Sequence, residues 1–172
     1  HVITTYRPGG PGDRMRLFYT RAPTYQGEFE AVREIDTEIV WHTWCEMDAD
    51  DEGTVMILSE VDLDYPAPTW GTTILTRSTD DGATWLAPDT LNPVATGGGG
   101  TKLDHDGHLW VLAWGDSTHL DGFDRWGFKC KFSANQGRSW YPNQQMEGDD
   151  WLEGGLMDID FDATRNRVRG YV

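Results

Sequence analysis

Apolar residues along this chain fall in short runs that either alternate with polar residues or stay continuous for a few positions. Clear examples are TWCEMD (43–48), TVMILS (54–59), TTILTRS (72–78), GTKLDH (100–105), LWVLAW (109–114) and FKCKFS (128–133). Gly, Asp and Pro bound each run. Runs of this length with period-two or continuous apolarity predict β-strands, and no long stretch carries a helical period. The expected class is therefore all-β.

The runs repeat. Residues 78–85 read STDDGATW and residues 133–140 read SANQGRSW, so the second begins 55 positions after the first. Both fit Ser-x-(Asp/Asn)-x-Gly-x-(Ser/Thr)-Trp. Upstream of each stands an Asp/Gly-containing segment, DADDEGTVMIL (48–58) or LDHDGHLWVL (103–112), and a Trp-Gly pair, Trp70-Gly71 or Trp126-Gly127. Three features in one order at nearly one spacing mark an internal repeat. Each full unit reads as four strands: an inner strand, an Asp/Gly turn, a second strand, a longer polar loop, a third strand, then the boxed turn and a fourth strand beginning at Trp85 or Trp140. Repeated four-stranded units of this size predict a β-propeller of antiparallel blades, about three of them in this chain. The expected divisions are 1–39 as a degenerate blade, 40–95 and 96–150 as full blades, and 151–172 as the start of the next. On this reading the ring closes with remaining blades or with a second copy of the chain.

Charge and composition narrow the partners. The 172 residues carry 29 Asp+Glu against 14 Lys+Arg, a formal net charge of −15. Such a field repels nucleic acid and anionic membrane surfaces, so neither is an expected partner. No apolar run approaches the roughly 18 residues of a membrane helix, and the start HVITTYRPGG lacks a signal-peptide layout. Cys45 and Cys130, the two cysteines, sit in strand-like runs and read as buried free thiols rather than a disulfide or a zinc site. No cofactor and no metal is expected. Asp48-x-Asp50-x-Glu52-Gly53 looks like the start of a calcium loop but lacks its final ligand and reads as a strand-connecting turn. His105 and His108 read as surface residues across a similar turn.

The box has a chemical logic of its own. Asp80 and Asn135 suit hydrogen bonding to the backbone of their own turns, and Ser78, Thr84, Ser133 and Ser139 add local bonds. Gly82 and Gly137 allow a backbone conformation that side chains resist, while Trp85 and Trp140 offer apolar faces for packing between sheets. Asp80 and Asn135 are accordingly structural rather than catalytic.

This pattern resembles the Asp-box, or bacterial neuraminidase repeat, and TRSTDDGATWLAP is similar to its form in the sialidase superfamily. STDDGATW matches at every defined position; SANQGRSW has Asn for Asp and Ser for Thr. The resemblance covers roughly residues 40–172. It implies a six-bladed propeller, a secreted or cell-surface location, and a glycan as ligand or substrate, with glycoside hydrolysis as the family's common chemistry. It also implies a location for the ligand site: the disc face opposite the boxed turns, where the second-to-third-strand loops and the inter-blade links lie. On that face the substrate-binding candidates are His42, Tyr65, Lys102, His119, Arg125 and Trp151, and the catalytic candidates are Asp64 and Asp116. Carboxylates beside aromatic rings suit sugars, and a pair of them suits glycoside cleavage. The family holds a substrate carboxylate with arginines, the first in an Arg-Ile-Pro motif; Tyr6-Arg7-Pro8 lacks the Ile and offers Arg7 alone. The competing expectation is a non-catalytic propeller that binds a glycan or protein as a scaffold.

Overall fold

The structure, a computed structural model, describes residues 1–6, 16–36, 42–61, 72–92, 101–120, 123–142, 144–145, 158–162 and 167–171. Among these the protein is all-β, with no helix. Thirteen strands form four antiparallel sheets whose neighbours follow chain order. The first sheet holds β1 (Val2–Tyr6), β2 (Arg16–Thr20) and β3 (Arg33–Asp36). The second holds β4 (His42–Ala49), β5 (Val55–Val61), β6 (Thr72–Ser78) and β7 (Asp89–Asn92). The third holds β8 (Thr101–Asp106), β9 (Leu109–Leu120), β10 (Phe123–Ser133) and β11 (Gln144–Gln145). The fourth pairs β12 (Asp158–Asp162) with β13 (Arg167–Tyr171).

The apolar runs explain how the sheets meet. A strand covered on one face alternates; a strand covered on both faces reads as a continuous apolar run. In β9, Trp110, Val111, Leu112, Ala113 and Trp114 are all buried. Their alternate side chains enter two separate cores. Trp110, Leu112 and Trp114 pack with Leu103 of their own sheet and with Met56, Leu58, Leu75 and Leu91 of the second. Val111, Ala113 and Cys130 pack instead with Ile159 of β12, flanked by Phe132 and Phe161. The third sheet is thus sandwiched between the second and fourth. β5 is likewise buried along Val55–Ser59, and full burial of each such aliphatic side chain stabilises by about 1.5–3 kcal/mol.

Two expectations need correction. The polar stretch after β9, expected as a long loop, is a continuation of the ladder: β9 runs to Leu120 and pairs with β10 from Phe123, with Leu120 opposite Phe123. The fourth strands begin at Asp89 and Gln144 rather than at Trp85 and Trp140. Both Trp residues sit before the strand, although pairing resumes just beyond each, where Leu86 N–H donates to Arg77 O and Tyr141 N–H donates to Phe132 O, both at 2.8 Å. Lys102 lies within β8, as the GTKLDH run predicts. Cys45 and Cys130 are free thiols, the second buried.

Candidate functional site

The two boxed turns share one hydrogen-bond frame. Ser78 Oγ accepts the N–H groups of Asp80 (3.3 Å) and Gly82 (2.8 Å) and donates to Asp80 Oδ1 at 2.7 Å. Ser133 Oγ does the same with Asn135 (3.3 Å), Gly137 (2.8 Å) and Asn135 Oδ1 (3.0 Å). The side chain at the third position then closes the turn. Asp80 accepts Thr84 N–H at 2.8 Å and the Thr84 hydroxyl at 2.6 Å. Asn135 Oδ1 accepts Ser139 N–H at 2.9 Å, and its Nδ2 donates to Ser139 Oγ at 2.9 Å. Asn reproduces the frame by reversing one bond, so the turn forms without a charge as well as with one. Asp81, Gly82, Gln136 and Gly137 all have positive φ, which at the two glycines is the conformation a Cβ disfavours.

Bonding to Thr84 first, and then to Ser78 and Ala83, lowers the Asp80 pKa from 3.8 to about 2. A carboxylate so acidic and so fully engaged does not exchange protons near neutrality. Asp80 is a turn residue.

Each box is tied both within its own sheet and to the sheet before it. Asp81 N–H donates to Gly53 O at 2.8 Å, tying the first box to the β4–β5 turn, and Gln136 N–H reaches His108 O at 3.4 Å in the third sheet. Both turns therefore share one end of their sheets, as the strand order requires. From the preceding sheet, Tyr19 Oη donates to Asp81 O at 3.0 Å, Arg21 Nη1 donates to the same carbonyl, and Arg33 Nη1 donates to Ala83 O at 3.0 Å. The matching contact of the second box is Arg77 Nη1 donating to Gln136 O at 3.0 Å. Trp85 meets the Tyr19 ring edge-on at 5.0 Å, and Trp140 packs against the core containing Met56.

The opposite sheet ends carry the ligand-site candidates, and the structure locates some of them. His42 opens β4 opposite Val61. Asp116 pairs with Gly127, Thr118 with Arg125, and His119 with Asp124 along the β9–β10 extension. By register Asp116 and Arg125 fall on one face of this strand pair and His119 on the other. Lys102 is engaged, its Nζ 3.2 Å from Glu46 Oε1. Arg7, Asp64, Tyr65 and Trp151 lie outside the described residues, as do Gly97–Gly100.

A polar seam between β4 and β8 was not foreseen. Glu46, Asp48 and Asp50 recur at period two and meet the third sheet in succession. Glu46 pairs with Lys102, Asp48 Oδ2 lies 2.6 Å from His105 Nδ1, and Asp50 Oδ2 accepts Trp110 Nε1–H at 3.3 Å. Asp50 Oδ1 also accepts the N–H groups of Glu52 (3.0 Å) and Thr54 (2.8 Å), which makes this segment a capped strand-connecting turn as expected. His105 is not the surface residue its turn position suggested: its side chain is 23% exposed and its ring stacks on Trp110 at 4.7 Å and 19°. Asp104 Oδ1 accepts His105 N–H at 2.8 Å and Oδ2 accepts Phe161 N–H at 2.6 Å, linking β8 to β12. Burial raises the Asp104 pKa, opposed mainly by those two backbone bonds. Asp48, Asp104 and His105 each bring one potential ligand atom within 4.8 Å of the others. The period-two acids Glu46, Asp48 and Asp50 were legible in the sequence; their partners, 56, 57 and 60 residues away, were not.

Among the described residues no helix is long and apolar enough to cross a membrane. Compared with known proteins, the chain matches no protein-family model and no curated protein sequence.

Proposed function

We propose that the four sheets are successive blades of a sialidase-like β-propeller directed at carbohydrate. The observation that carries this reading is the pair of boxed turns: one hydrogen-bond frame, built twice, each docked on the sheet before it. Meander order within each sheet and face-to-face packing between successive sheets support the same architecture. The boxes fasten the fold, so recognition belongs to the other end of the sheets. There the β9–β10 pair places Asp116 and Arg125 on one face, a mixed-charge pair of residue types suited to sugar hydroxyls and to an acidic sugar's carboxylate.

Whether the bound glycan is also cleaved is a question of chemistry at that same end. The test is a panel of sialosides and neutral glycosides, with binding and hydrolysis measured on the same ligands. Saturable binding of one glycan class that is weakened by Asp116→Ala or Arg125→Ala supports the proposal. Turnover on that ligand assigns a glycoside hydrolase, and binding without turnover assigns a lectin-like propeller. Absence of binding across the panel overturns the carbohydrate reading.

A further inference from the structure

We propose that Asp48, Asp104 and His105 form a binding site for one divalent transition-metal ion of the zinc class at the junction of the second, third and fourth sheets. The inference stands on the inner-strand geometry and is independent of the glycan reading.

Three donors from two sheets converge within 4.8 Å. Asp48 comes from β4, while Asp104 and His105 are neighbours on β8. The set is unbalanced in charge. Two carboxylates face one imidazole, and Asp50 stands next along the seam, where it accepts the Trp110 indole N–H. Lys102, the cation on the same strand, is held by Glu46 at 3.2 Å. Two carboxylates and one imidazole gathered in a half-buried cluster suit a divalent cation.

The donors are also held in place. The His105 ring lies flat on Trp110, whose indole N–H is fixed by Asp50. Ala49 N–H donates to Asp48 Oδ1 at 2.8 Å, which turns Oδ2 towards His105 Nδ1. Asp104 is held by N–H groups at both oxygens, and each carboxylate oxygen keeps a further lone pair for a ligand. Outer contacts of this kind orient ligands and strengthen binding. Imidazole with two carboxylates favours zinc, cobalt or nickel over calcium or magnesium, which prefer all-oxygen sets. Three protein ligands leave a fourth position for water. Binding requires the Nδ1 lone pair, so any proton held between His105 and Asp48 leaves to solvent as the ion enters.

The test is titration of the purified, chelator-treated protein with Co2+ alone, followed by visible absorption and calorimetry, with Zn2+ as competitor. We expect one Co2+ per chain, displaced by Zn2+. Asp48→Asn, which keeps an oxygen but loses the charge, should weaken binding by about 10–100-fold, and His105→Gln should abolish it. If either variant fails to fold, 15N NMR of the histidine rings in the unaltered protein decides instead: Zn2+ must shift the His105 Nδ1 resonance selectively. No saturable one-to-one binding, binding undiminished in both folded variants, or an unmoved His105 signal overturns the site and leaves the cluster as a plain inter-sheet ion pair.

Discussion

The docking of the first box on Tyr19 makes a quantitative prediction when Gly82 is compared with Gly137. Both glycines have positive φ, 76° and 70°, so Ala at either carries the same backbone cost, about 1–2 kcal/mol. Their surroundings differ. A Cβ on Gly82 would lie 2.2 Å from Tyr19 Oη, 2.4 Å from Cζ and 2.6 Å from Cε1, all atoms of one rigid ring. That ring is itself buried and pinned by its bond to Asp81 O. A Cβ on Gly137 would meet Met56 Cε at 2.5 Å, the tip of a flexible side chain, and Met56 Sδ and Trp140 Cζ2 only at 3.2 Å. Overpacking against a rigid group adds about 1–3 kcal/mol. Gly82→Ala should therefore cost about 2–5 kcal/mol and Gly137→Ala should stay near the backbone cost of about 1–2 kcal/mol. Urea unfolding followed by Trp fluorescence reads the difference. At a slope of about 1–3 kcal/mol per molar, the Gly82 variant's midpoint should fall on the order of 1 M below that of the Gly137 variant. Adding Tyr19→Ala should shrink the Gly82 penalty, since the two sites are coupled by contact. Equal costs at the two glycines, or a larger one at Gly137, would refute the docking of the first box on the first sheet.

Other consequences follow from the same contacts. Because the folded Asp80 pKa is lowered from 3.8 to about 2, its ionised form stabilises the fold fully above the unfolded value, and that contribution is lost as pH falls from about 4 to 2. The urea midpoints of wild type and Asp80→Asn should hold a constant separation at neutral pH and converge over that acid window; a separation that widens there contradicts the sign. Asp50→Ala removes the acceptor for Trp110 Nε1–H and two turn N–H groups, and hydrogen bonds to a charged group contribute about 1.5–3 kcal/mol. We expect a loss of about 2–3 kcal/mol in urea unfolding, with Asp50→Asn losing less, and equal losses in the two variants would show that the carboxylate's bonds are not what matters. Burial raises both thiol pKa values at Cys45 and Cys130, so a thiol reagent at neutral pH should label the native protein slowly and titrate two thiols on unfolding. Rapid labelling of either native thiol would contradict their placement.

What was legible in the sequence was local. The continuous run Trp110–Trp114 and the box residues declared themselves because a strand buried on both faces and a side-chain-closed turn each need particular residues at short spacing. The same locality explains the misses. The far end of β9 runs through Asp, Ser, Thr and His residues that by composition read as a loop. His105 follows an alternating strand and precedes a Gly turn, which suggested exposure; its burial comes from Asp48 and Trp110, and the first of these is far away in sequence. Trp85 and Trp140 have strand propensity, but the turn's bond back to Arg77 or Phe132 places them before the fourth strand. Of the ligand-face candidates, register sets Asp116 and Arg125 on one face and His119 on the other, whereas Lys102 is committed to Glu46.

The carbohydrate reading meets its most direct test in glycan binding by the intact protein, measured by calorimetry or on an immobilised panel of sialylated and neutral glycans. The account predicts saturable binding to one glycan class, competed by the free sugar and weakened at least about tenfold by Arg125→Ala, with the fold intact by circular dichroism; tenfold corresponds to about 1.4 kcal/mol. No binding to any member of the panel, or binding that Arg125→Ala and Asp116→Ala both leave unchanged, would contradict it.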